Sequence, residues 1–150
     1  MRTVHPRRGR APLVPQPGAR LGAGARLRLA AEVLAGYAQV RWRLRRHGLE
    51  PTLAFVRREL PPGAATAAPS PQSLLRLGHI VQRTLGALPL DSRCLIRSLV
   101  LTGLLARRGI PSVVVLAAAL RPEFQAHSWV EHEGVALLPT GTGFERLKEL

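Results

Sequence analysis

One segment constrains the fold more than any other: residues 91–120, DSRCLIRSLVLTGLLARRGIPSVVVLAAAL. Its first half reads as a helix from Ser92 to Arg108, capped by Asp91, with Leu95, Ile96, Leu99 and Leu104 available for packing. Arg107, Arg108 and Gly109 close it. Basic side chains suit the negative end of a helix dipole, and glycine takes the left-handed cap conformation without steric cost. Ser112–Leu120 then has the continuous apolar character of a buried strand. A spanning helix needs about 20 apolar residues. The longest apolar run here, Gly109–Leu120, is shorter and contains Pro111.

The flanking sequence supplies the other layers. Residues 1–22 are rich in Pro, Gly and Arg without periodicity, and are expected to form a disordered basic tail. A helix is expected from about Ala25 to His47, with a stripe at Leu27, Ala30, Leu34, Tyr37, Ala38, Arg41 and Leu44, and a stop at Gly48. A short helix should follow around Pro51, and Pro61–Ala68 reads as a linker. Ser70-Pro71 is a helix entry, a serine cap before proline at the first helical position. Leu74, Leu77, Val81 and Leu85 mark its buried stripe down to Gly86. After the apolar segment, Ala126–His132 and Val135–Pro139 read as two strands joined by a tight turn at Glu133-Gly134. Helices followed by strands predict an α+β fold, with residues 23–150 as a single domain. With 46% hydrophobic but only 4% aromatic residues, its core must be built mainly from Leu, Val and Ala.

The chain carries a net charge of +13, and 21 of its 22 basic residues are Arg, Lys148 being the exception. Its single cysteine, Cys94, excludes an internal disulfide framework and any cysteine-cluster zinc site. Arg7-Arg8 is not followed by the apolar stretch of an export signal, so a cytoplasmic location is expected.

Two residues suggest chemistry. With Asp91 as the cap, Cys94 stands in the first turn of its helix, beside Arg93 and Arg97. Free N–H groups, the helix dipole and guanidinium charge favour a thiolate, the nucleophilic form of cysteine. His127 lies on a strand, sharing one face with Trp129 and Glu131 because strand side chains alternate. Trp129 is expected to pack, shielding the imidazole. A thiol opening a buried helix, followed by a histidine on the next sheet, is the layout of cysteine acyl-transfer enzymes, in which His takes the thiol proton and later protonates the leaving amine.

The Ser-Arg-Cys-Leu-x-Arg-Ser-Leu helix opening, the Arg-Arg-Gly-Ile-Pro exit and the Ala-His-Ser-Trp-Val-Glu strand resemble the leader peptidases of lasso-peptide biosynthesis, the peptidase half of the B protein. The resemblance covers about residues 73–138. It implies a transglutaminase-like, papain-related fold with N-terminal helices, a central Cys-bearing helix and C-terminal antiparallel strands. It also implies a cysteine peptidase with Cys94 as nucleophile and His127 as general base, needing neither metal nor cofactor. Short members of this family work with a small leader-recognition protein that brings the precursor peptide, and a separate asparagine-synthetase-like ligase closes the macrolactam.

The resemblance breaks at the third catalytic position. Such enzymes usually orient the histidine with an Asp or Asn on the next strand. The position opposite His127 falls near Pro139, followed by Thr140; there is no Asn, and the only Asp is Asp91. Glu131 is about 13 Å along the strand, too far to help. The remaining candidates are Thr140, a backbone carbonyl and, more weakly, Glu145. For the oxyanion hole, the Cys94 N–H is expected together with Gln125 or Gln82. Arg41, Trp42, Arg43, Arg45 and Arg46 form a positive patch, read as a docking face for an acidic leader or partner. Nucleic acid is the weaker partner, since no recognised motif or aromatic stacking platform accompanies the charge. Two other functions stay open: a different Cys–His acyl transfer with an amine acceptor, and a non-catalytic basic binding module.

Overall fold

The apolar segment after Arg93 forms the centre of the molecule. In the computed structural model, residues 22–58, 69–87, 89, 93–120 and 124–150 are described. The tail over 1–21, the linker over 61–68, Asp91 and Ser92 lie outside them. Among the described residues, α1 (Ala23–His47), α2 (Leu49–Arg57), α3 (Pro71–Gly86) and α4 (Cys94–Ala106) precede β1 (Val113–Ala119), β2 (Gln125–His132), β3 (Val135–Ala136) and β4 (Glu145–Glu149). The strands form one antiparallel sheet in the order β3-β2-β1-β4. The architecture is the expected α+β one.

α4 is a core helix in the strict sense: Ile96 and every residue from Ser98 to Ala106 are buried. It packs against α1, α2 and α3 and against β1 and β2. Each fully buried Leu or Val contributes about 1.5–3 kcal/mol of hydrophobic stabilisation, and Leu99, Leu101, Leu104 and Leu105 are all essentially inaccessible. A buried polar pair, Ser98–Ser128, joins helix and sheet, its hydroxyls 3.3 Å apart. At the far end, the Arg108 guanidinium donates to Leu104 O at 2.8 Å and pairs with Glu32 of α1 at 2.7 Å. Its side chain is 1% exposed, so it ties α1 to the end of α4 rather than projecting into solvent.

Four expectations need correction. The helix begins at Cys94, not Ser92, with Arg93 as its N-cap and no side-chain capping bond. Cys94 is therefore its first residue rather than its third. In α1 the buried face is Leu29, Val33, Gly36, Tyr37 and Val40, while Leu27 is 73% and Leu34 38% exposed. α1 carries two apolar stripes, and packing against α4 selects the one that lets the helices approach at Gly36. The predicted strand 135–139 stops at Ala136, and β4 on the other sheet edge was not anticipated. β4 is exposed at all five residues and mostly charged, so it lacks the apolar alternation by which strands are recognised. α3, by contrast, matches: Ser70 caps it, accepting from Ser73 N at 3.3 Å, and Leu74, Leu77, Val81 and Leu85 are buried.

Candidate active site

A cleft of about 110 Å³ opens between α3, the start of α4 and the sheet. Its walls are Gln82 of α3, Cys94 and Arg97 of α4, His127 and Ser128 of β2, and Leu138 and Pro139 after β3.

Cys94 is partly buried and is a free thiol. The first helical bond of α4 runs from Arg97 N–H to Arg93 O at 3.1 Å. The N–H groups of Cys94, Leu95 and Ile96 thus have no partner within the helix, as in any helix start. They are the donors that a developing oxyanion at this position needs.

His127 is also partly buried. Its Nε2 lies 2.8 Å from Pro139 O. A carbonyl only accepts, so Nε2 carries the proton and Nδ1 holds the lone pair that can act as a base. Among the described residues no hydrogen bond joins Cys94 to His127; the two line one cleft without a direct bond.

The imidazole sits among aromatic rings. Trp129 lies 6.0 Å from it and Phe144 5.0 Å, centroid to centroid, both tilted. Trp129 is buried, its Nε1 donates to Glu131 Oε1 at 2.7 Å, and Glu131 is paired in turn with Arg146 of β4. Trp129 therefore packs beside the imidazole, as expected from the strand pattern.

The other predicted site residues separate. Gln82 reaches the cleft, whereas Gln125 is exposed at the start of β2 and does not line it. Arg97 lines the cleft; Arg93 is exposed at the N-cap. Thr140 is directed elsewhere, its Oγ1 donating to Gly141 O at 3.4 Å, and Glu145 is exposed on β4. Neither bonds to His127, and of the three alternatives for its partner the backbone carbonyl is the one present. Phe144 and Arg146 were missed; the glycines of Pro-Thr-Gly-Thr-Gly-Phe (139–144) signal a tight turn but not what it wraps.

The arginine patch is not uniform. Arg43 lies 3.5 Å from the Phe55 ring centroid, linking α1 to α2. Arg41 donates to Tyr37 Oη at 2.7 Å, and Arg46 stands 6.0 Å from the ring of the exposed Trp42. Arg45 is exposed. No three His, Cys, Asp or Glu side chains cluster among the described residues, and no described helix is long and apolar enough to cross a membrane.

The sequence model of the Transglutaminase-like superfamily matches residues 36–148, well over half of the chain. Neither a curated protein nor a solved structure gives a significant match.

Proposed function

The chain belongs to the transglutaminase-like superfamily, and from that premise we propose that it is a cysteine peptidase that removes the leader from a ribosomally made lasso-peptide precursor. The observation that carries the reading is a single cleft holding the chain's only thiol, at a helix start, and a histidine whose Nε2–H is engaged by a carbonyl. The resemblance of the Cys94 and His127 motifs to lasso leader peptidases supplies the substrate class.

In this mechanism His127 Nδ1 takes the Cys94 proton as substrate closes the gap between them. The thiolate attacks the carbonyl at the leader–core junction, and the Cys94 N–H with Gln82 holds the oxyanion. His127 returns its proton to the departing amine of the core, leaving the leader as a thioester on Cys94. Water, deprotonated by His127, then releases the leader as a carboxylate and restores the thiol. A small leader-recognition protein delivers the precursor, with the arginines of α1 facing acidic leader or partner, and an asparagine-synthetase-like ligase closes the ring afterwards.

Amine attack on the same thioester would make the protein an acyl transferase, and the two reactions differ in product mass. The test is intact mass spectrometry of a candidate precursor with its leader-binding partner, using wild type, Cys94→Ala and His127→Ala. Cleavage at one junction, lost in both variants, is the expected result. An amine adduct requiring Cys94 would replace hydrolysis by transfer. Equal behaviour of all three proteins would leave only the binding-module reading.

A further inference from the structure

We propose that the loop Pro139–Phe144 performs the orienting role that an Asp or Asn side chain has beside the histidine of such enzymes, with Phe144 as the positioning residue. The inference rests on the peptidase reading for its kinetic consequence but not for its structural one.

Three observations converge on the imidazole from this loop. Pro139 O accepts from Nε2 at 2.8 Å. The Phe144 ring packs against it at 5.0 Å. Between them Gly141 adopts φ +72°, and a Cβ there would lie 2.8 Å from Phe144 Cε2 and 3.7 Å from His127 Cδ2. The loop can close on the ring only with glycine at 141, both for its left-handed backbone and for the space. Proline at 139 contributes as well. It has no N–H with which to continue a ladder against β2, and the last described backbone bond of that ladder is Leu137 N–H to Val130 O at 2.8 Å.

The two contacts fix different degrees of freedom. The carbonyl selects the Nε2–H tautomer and the in-plane direction of the ring. The rings of Phe144 and of Trp129, the latter tethered through Glu131, pack against the imidazole and restrict rotation about its Cβ–Cγ bond. A neutral carbonyl gives the imidazolium less charge stabilisation than a carboxylate would, so what the loop contributes is orientation, shared between the carbonyl and the packing of Phe144.

The test uses the full chain with 15N-labelled histidine, the His127 signal being assigned by its loss in His127→Gln. Wild-type neutral His127 is expected wholly as the Nε2–H tautomer. Phe144→Ala and Gly141→Ala should each shift it towards the mixture of free imidazole, and Phe144→Tyr, which keeps the ring, should restore it. With a precursor that the wild type cleaves, Phe144→Ala should lower kcat by about 10²-fold, the scale of a 1 Å misplacement, with KM within about twofold and Phe144→Tyr near wild type. A wild-type His127 already in the free-imidazole mixture would overturn the proposal, even if the precursor were cleaved. So would Phe144→Ala that leaves tautomer and kcat unchanged. A fixed tautomer released by Phe144→Ala in a protein that cleaves nothing would support the orienting loop while removing the peptidase reading.

Discussion

Gly78→Ala isolates the contact that holds the cleft's far wall. Gly78 is buried in the middle of α3, and a Cβ placed on it would lie 1.9 Å from Leu137 O and 3.0 Å from Leu137 C. To reach an ordinary contact of about 3.4 Å the carbonyl must retreat by about 1.5 Å. The opposing atoms are backbone, so no side-chain rotation relieves the clash. Leu137 N–H donates to Val130 O at 2.8 Å, and Leu137 and Leu138 are both buried, so the retreat disturbs a ladder bond and two core side chains. Overpacking of this kind costs about 1–3 kcal/mol, a lost hydrogen bond about 1 more, and the helical preference of Ala over Gly returns about 1. The net expectation is a loss of about 1–3 kcal/mol in urea unfolding, or roughly 3–9 °C in Tm for a domain of this size. Gly36→Ala is the comparator. It makes the same chemical change inside α1, but its Cβ would meet only Val100 Cγ1 at 3.5 Å, so it should be neutral or stabilising by up to about 1 kcal/mol. If Gly78→Ala proved as stable as wild type while Gly36→Ala behaved as expected, α3 and Leu137 would not be in contact and the cleft wall would be misplaced.

Removing Glu32 should cost more than most surface changes: Glu32→Ala leaves the Arg108 guanidinium, 1% exposed, without its carboxylate, and about 2–4 kcal/mol is expected in denaturant unfolding, against 3–5 for breaking a fully buried pair. Within the arginine patch, Arg43→Ala should destabilise by about 0.5–1 kcal/mol through loss of its contact with Phe55, whereas Arg45→Ala should stay within about 0.5 kcal/mol; equal effects would dissolve the distinction. Fluorescence separates the two tryptophans: with Trp42 54% and Trp129 5% exposed, Trp42→Phe should leave a blue-shifted emission resistant to iodide, and Trp129→Phe a red-shifted, quenchable one.

How far the fold was legible depended on whether one apolar pattern had a single solution. α3 has one apolar face and a serine–proline entry, and both were readable. α4 is apolar nearly all round, which announces a central helix without saying which neighbour touches which side. α1 defeats periodicity because Leu27 and Leu34 compete with Leu29 and Val33 for the inner face, and only a tertiary partner decides. The two-residue turn at Glu133-Gly134, with φ of 50° and 78°, was marked by its glycine. The charged strand β4 had no such marker, because it is held by backbone pairing with β1 and not by a buried face of its own.

The site divides along a related line. Cys94 and His127 are reactive side chains in recognisable settings, so a sequence can display them. The partner of His127 is a backbone carbonyl, which every residue possesses and no residue type announces. The side chains that the sequence offers for this role are Thr140, whose Oγ1 donates to Gly141 O, and Glu145, exposed on β4; neither bonds to His127. What the sequence does contain is the pair of constraints that bring that carbonyl in: proline at 139, which cannot extend the ladder, and glycine at 141, which lets the chain fold back so that Phe144 meets the imidazole. On the proposed peptidase reading, the missing carboxylate is a change in how orientation is achieved: the backbone carbonyl of Pro139 stands where a side chain could swing, and a carboxylate's charge beside the imidazolium is given up. On that account rates should respond more sharply to changes in the loop's glycine and phenylalanine than to any substitution at Thr140 or Glu145.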